Sequence, residues 1–147
     1  MRKKMPEDML RKEILAFLNK RRELVLCTCN NNIPRATPME FYKEKDKFEI
    51  YVGLSPGRKV RNIEENPVVS IGIYTPMSEG KIQGMQITAS GREHVVLLRE
   101  GDEEFAHAQK IVHGKRKLIL KIIPEIIELL DYDFAKEGYA ILQKLEF

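Results

Sequence analysis

The stretch Tyr51-Val-Gly-Leu-Ser-Pro-Gly-Arg-Lys-Val-Arg-Asn-Ile-Glu-Glu-Asn-Pro67 decides how this chain is read. Its first residues complete an apolar strand that begins at Phe48, and Ser55-Pro56-Gly57 supplies a tight exit from it. Arg58–Glu65 reads as a short helix, and Asn66-Pro67 stops it before a second apolar strand, Val68–Tyr74. Ser55 is placed to cap the helix. The charges run against the helix dipole: Arg58, Lys59 and Arg61 fall in the first turn, Glu64 and Glu65 in the last. Each misplaced charge costs about 0.3–1 kcal/mol. Either the long basic side chains extend into water, or an anion sits at the helix start. A phosphate there would meet free N–H groups, the Ser55 hydroxyl, a guanidinium and a lysine.

On the N-terminal side of this segment, Pro6 suits a first helical position, and Leu10, Ile14, Phe17 and Leu18 mark an amphipathic helix over residues 6–20. The period then changes to two. Leu24–Cys29 and Pro34–Tyr42 read as the arms of a hairpin around Asn30-Asn31-Asn32, and Lys43–Lys47 is a polar turn. On the C-terminal side, Thr75–Gly84 is a polar loop and Met85–Val96 one long strand with Gly91 as a bulge. Asp102–His113 is a helix closed by Gly114, and Lys117–Ile123 and Ile126–Tyr132 flank Pro124 as two strands or one bent ribbon. Tyr139–Phe147 alternates as a terminal strand, half exposed or lying on a partner. Strands joined mostly by hairpins do not follow a βαβ pattern. The expected fold is mainly β, a small antiparallel β-barrel with peripheral short helices. It forms one domain over 1–147, with residues 1–22 as an N-terminal helix and 23–147 as the barrel.

Composition narrows the function. The 147 residues carry a net charge of +3. The first 23 hold eight Lys or Arg against four Asp or Glu, or +4, which leaves −1 for the rest. That basic element either touches nucleic acid or is a solvated helix face; interleaved acids and the lack of an aromatic platform favour the latter, so no nucleic-acid partner is expected. The apolar run Leu118–Leu130 is broken by Lys121, Pro124, Glu125 and Glu128, short of the roughly 20 apolar residues of a membrane span. Cys27 and Cys29, with no signal peptide, read as reduced thiols of a cytoplasmic protein; on one strand face they are a redox pair or two small hydrophobes. No GxGxxG, Walker P-loop or CxxC is present, and His94, His107 and His113 lack the spacing of a helical metal pair, so no metal is expected.

Three segments in order carry a resemblance. The strand, Gly/Ser turn, Arg58-Lys59 and helix ending Glu65-Asn66-Pro67 resemble the flavin-binding region of the pyridoxamine 5′-phosphate oxidase-like split-barrel family. Arg35-Ala-Thr-Pro-Met-Glu40 resembles the strand that runs under the isoalloxazine ring, and Gln86-Ile-Thr-Ala-Ser-Gly91 a later strand whose glutamine contacts the flavin. The similarity spans roughly Leu24–Tyr132. It implies a split barrel that binds FMN at a homodimer interface. Arg58 and Lys59 would grip the phosphate with Ser55 assisting, and Arg35, Ala36 and Thr37 would contact the ring or ribityl chain, chiefly through the backbone. Tyr51, Val52 and Gly53 would line the same cleft, and Gln86 would reach the flavin from the second subunit. Relatives also hold the deazaflavin F420 or haem. The oxidase proper ends in an arm supplying a tryptophan and an Arg/His pair; this chain has no Trp and ends Gln143-Lys-Leu-Glu-Phe147. The implied function is therefore a flavin-dependent oxidoreductase acting on another small substrate or NAD(P)H, with no side-chain acid or base assigned to catalysis. A non-catalytic flavin-binding module is the other reading.

Overall fold

The computed structural model describes residues 2–147. Helix α1 (Glu7–Lys20) leads into β1 (Glu23–Asn30), β2 (Ile33–Glu40) and β3 (Ile50–Gly53). Helix α2 (Arg58–Glu65), β4 (Val68–Tyr74), β5 (Gln83–Ser90) and β6 (Val95–Arg99) follow. Helix α3 (Phe105–Ile111), β7 (Leu118–Ile122), β8 (Ile126–Asp131) and β9 (Leu142–Glu146) complete the chain. Six strands form one sheet in the order β2-β1-β4-β5-β8-β9, and three form another in the order β3-β7-β6. Every strand pair is antiparallel. The architecture is the small split β-barrel with peripheral short helices that the hairpin pattern implies.

Period-two burial builds the shared core. Leu26, Ile71, Ile87, Ile127 and Leu129 from the larger sheet pack with Val52, Leu120 and Ile122 from the smaller one, and α1 adds Leu10, Ile14 and Leu18. Strand β7 is central in its sheet and buried on both faces. Its Ile119 belongs to a second cluster with Tyr51, Leu98, Phe105, Ala108 and Val112, which seats α3. At the β1–β2 hairpin Asn31 and Asn32 have φ of 52° and 62°, a two-residue turn in which asparagine tolerates the left-handed region. No helix among the described residues is long and apolar enough to cross a membrane.

Four local expectations change. Met85–Val96 is two strands, β5 and β6, in different sheets. Gly91, at φ 91°, turns the chain between them; its N–H donates to Pro67 O at 2.8 Å and its carbonyl accepts from Val95 N at 2.9 Å. The third helix begins at Phe105 because Asp102 is spent on the preceding turn, accepting from Arg99 N at 2.6 Å. A 3-10 helix over Tyr132–Glu137 precedes β9, started by Asp131, whose side chain accepts from Asp133 N. Cys27 and Cys29 are free and half-buried on the outer face of β1 and so are not core residues.

Candidate functional site

Helix α2 is positioned by the side chains that it buries. Val60 and Ile63 enter the core, and Asn62, also buried, donates from Nδ2 to Thr28 Oγ1 at 3.1 Å. Asn66 Nδ2 donates to the Cys29 carbonyl at 2.8 Å, and Asn30 donates to Glu65 from the hairpin end. Thr28 stands opposite Arg35 in the β1–β2 register, so Arg35 lies on the sheet face against which α2 docks. Arg58 and Arg61 are three residues apart and share one side of the helix. Together they form a cleft of about 420 Å³ lined by Arg35, Arg58, Arg61, Asn30, Asn62 and Glu65 among others. None of the three arginines is in an ion pair among the described residues.

The helix start itself corrects one expectation. Gly57, and not Ser55, is the N-cap residue, and no side chain caps the helix. Ser55 lies two positions before the one from which its hydroxyl would meet the first-turn amides. Those amides therefore lack a side-chain acceptor, and the first turn contains no acidic residue.

Strand β2 is an edge, paired only with β1. The two-residue turn makes Asn30 and Ile33 a hydrogen-bonded pair, and the bond from Phe41 N to Arg22 O at 2.9 Å continues the same phase. Pro34, Ala36 and Pro38 therefore direct their main-chain groups away from β1, which explains how two prolines fit this strand. Between them the Ala36 peptide presents an N–H and a carbonyl at the open edge. Thr37 is half-buried, with Ala36 exposed beside it.

The other expected residues are dispersed within one chain. Tyr51 and Val52 turn their side chains into the two core clusters. Burial first, then the carboxylates Glu44, Glu49 and Glu104, push the Tyr51 hydroxyl up to about 12. Gly53 lies under Arg116: a Cβ there would stand 2.6 Å from Arg116 Nε. Lys59 is half-buried and lines neither basic cleft. Ser55 lines a second cleft with Lys115, Arg116 and Lys117. Gln86 is exposed on the outer face of the larger sheet, beside Gly72 and Glu128 in register, in a cleft of about 540 Å³ with Val25, Tyr74, Leu130 and Leu142. Local sequence gave no sign of Asn62, whose role depends on Thr28, or of Arg116, whose role depends on Gly53.

Comparison with known proteins places the fold in a family. A family model described as pyridoxamine 5′-phosphate oxidase matches residues 10–129. No curated protein sequence matches the chain. Among solved structures, general stress protein 26 from Bacillus anthracis is similar at 17% identity and a TM-score of 0.63, with 94% of this chain and 98% of that one covered. A FAD-binding protein from Mesorhizobium loti is similar at 15% identity and a TM-score of 0.61, over 80% of this chain and 90% of that one. A heme binding protein from Mycobacterium smegmatis is similar at 13% identity and a TM-score of 0.67, over 97% of this chain but 59% of that one. At these identities the structures speak for the fold, and the family model, spanning most of the chain, speaks for descent: the protein belongs to the pyridoxamine 5′-phosphate oxidase-like split-barrel family.

Proposed function

We propose that the protein is a cytoplasmic FMN-binding oxidoreductase, working as a homodimer that exchanges hydride or electrons with a small substrate or NAD(P)H. The observation that carries this reading is the gathering of Arg35, Arg58 and Arg61 in one cleft along the side of α2, whose first turn is uncapped, without a carboxylate paired to any of them. Like charges gathered in this way repel one another, and a phosphate offsets the repulsion while accepting from the free helix amides. These donors fit the phosphate end of FMN. Arg58 would hold it from this cleft, and Lys59 and Ser55, which lie outside the cleft lining at the adjoining turn, would have to close on it from there. Arg35, Ala36 and Thr37 would align the ribityl chain and ring along the open edge of β2, the Ala36 peptide offering main-chain bonds. Tyr51, Val52 and Gly53 would contribute backbone to the wall. When bound, FMN supplies the redox chemistry at its ring; the chain's residues grip, orient and shield.

The outer face of the larger sheet supports the dimer. Tyr74 is 72% exposed and Leu142 52% exposed beside Gln86, an apolar surface suited to a second copy. Across that interface Gln86 would reach the partner's flavin. Haem is the weaker ligand reading, because the histidines are otherwise placed. His94 Nδ1 lies 3.1 Å from Ile123 O, His107 pairs with Glu44 at 3.2 Å, and His113 packs on the Tyr42 ring. The deazaflavin F420 would meet the same cations as FMN.

The visible spectrum of freshly purified protein tests this, with two flavin bands expected. Mass spectrometry of the material released on denaturation names the ligand. Arg58→Glu combined with Lys59→Glu should abolish flavin retention while the fold persists; unchanged retention removes the site assignment. Protein that is colourless and takes up no added FMN removes the flavin reading.

A further inference from the structure

Cys27 and Cys29 lie two positions apart on β1, so their side chains leave the strand on the same, outer face. Leu26 and Thr28, which alternate with them, are buried, whereas both cysteines are half-buried and free. Little covers the pair. In register Cys27 stands between Ala36 of β2 and Ser70 of β4, both exposed, and Cys29 stands beside Pro34. The bonds that anchor α2 to this part of β1 use the Thr28 hydroxyl and the Cys29 carbonyl, which leaves the two sulfurs out of that structural role.

The spacing decides what the thiols can do together. Same-face positions of a strand hold their Cβ atoms about 6.6 Å apart, and a disulfide needs them about 3.5–4.5 Å apart. The pair therefore cannot close on itself while β1 stays a strand. A bridging ion spans the gap, because two metal–sulfur bonds of about 2.3 Å in line separate the sulfurs by about 4.6 Å. Two Sγ atoms reach that separation by leaning towards each other. Ligand number then narrows the ion. Structural zinc and iron–sulfur centres take four protein ligands, and among the described residues no group of three His, Cys, Asp or Glu is placed to hold a metal. Thiolates select soft ions, and Cu(I) is satisfied by two of them in a line.

We propose that Cys27 and Cys29 form a two-coordinate site for Cu(I) on the outer face of β1. On binding, each thiol releases its proton to solvent and each sulfur gives an electron pair to the ion. Two S–H bonds break, two Cu–S bonds form and copper stays monovalent. The small side chains of Ala36 and Ser70 leave the open side free for the ion to enter. The inference does not rest on the flavin reading, because the site uses neither α2 nor the cleft of Arg35, Arg58 and Arg61.

Anaerobic titration of the reduced protein with Cu(I), with bathocuproine disulfonate as the competing chelator, tests it. The wild type should hold one Cu(I) per chain, with two sulfur neighbours by X-ray absorption. Cys27→Ser and Cys29→Ser should each weaken binding by about a hundredfold or more, the loss expected when a linked pair becomes a single ligand. Cys29→Ser combined with Val25→Cys, which restores a same-face pair one step back along β1, should recover most of the affinity. Arg58→Glu with Lys59→Glu should leave copper uptake unchanged whatever happens to flavin, so the two readings fail separately. Alanine replaces serine at either cysteine if a serine variant does not fold. The proposal is overturned if either single variant holds copper like the wild type, or if the restored pair recovers nothing. It is equally overturned if the wild type takes one ion per two chains, if Zn(II) is held as tightly as Cu(I), or if air oxidation yields a Cys27–Cys29 disulfide by mass spectrometry.

Discussion

Asn62 on α2 and Thr28 on β1 are joined by a buried hydrogen bond of 3.1 Å, and Thr28 is the cross-strand neighbour of Arg35. With the Asn66 bond to the Cys29 carbonyl and the burial of Val60 and Ile63, that contact fixes the helix carrying Arg58 and Arg61 against the sheet carrying Arg35. Structural contacts thus determine where three cations meet.

Asn62→Ala should leave the Thr28 hydroxyl buried without its partner, at a cost of about 1–3 kcal/mol. For a chain of this size, each kcal/mol lowers the melting temperature by about 2–4 °C. Replacing both partners together, as Asn62→Leu with Thr28→Val, should cost less than Asn62→Ala alone. Thermal unfolding of the variants checks this, and equal losses would show that the bond does not hold the helix.

Arg61 completes the cation cleft from the same side of α2 as Arg58, three residues on. Arg61→Gln should weaken FMN binding by roughly tenfold and reduce its salt dependence, because one fewer charge faces the phosphate. Titration of FMN fluorescence at two salt concentrations measures both effects. An unchanged affinity would assign Arg61 to solvent.

Tyr51 predicts a pH dependence. Its hydroxyl is raised from 10.0 to about 12, first by burial, so between those values the folded chain holds a proton that the unfolded chain releases. Its contribution to stability is complete below pH 10 and is lost as the pH rises towards 12. Tyr51→Phe should flatten this part of the stability profile relative to the wild type, as measured by urea unfolding at pH 9, 10 and 11. Parallel profiles would rule out the shift.

The outer sheet face bears on assembly. Leu142→Lys, beside the exposed Tyr74 and Gln86, should convert a dimer into a monomer and release flavin with it. Sedimentation velocity and the flavin absorbance of the same samples report the two effects. A monomer that keeps its flavin would remove Gln86 from the site.

Much of the fold was legible from local chemistry. Period-two burial in β4, the asparagine turn of the β1–β2 hairpin, and Pro67 after α2 each act within a few residues, and α2 itself runs Arg58–Glu65 as its pattern indicated. Gly91 was harder to read. A bulge and a sheet-changing turn place the same residue at a positive φ, and only the pairing of β5 with β8 and of β6 with β7 separates them.

The reversed charges of α2 and the order of its flanking strands are properties of the sequence, because helix dipole, turn chemistry and side-chain period act over one or two turns of chain. Ser55 reads as a helix cap by the same logic, yet Gly57 takes the N-cap position and Ser55 lines a cleft with Arg116. What tertiary structure alone decided is which cations share a space. Arg35 reaches Arg58 through a register and a buried Asn–Thr bond. Arg116, remote from Gly53 in sequence, reaches it because β3 pairs with β7 and a missing Cβ admits the guanidinium. Contacts of that kind depend on long-range pairing and close packing, and neither leaves a periodic signal in the chain.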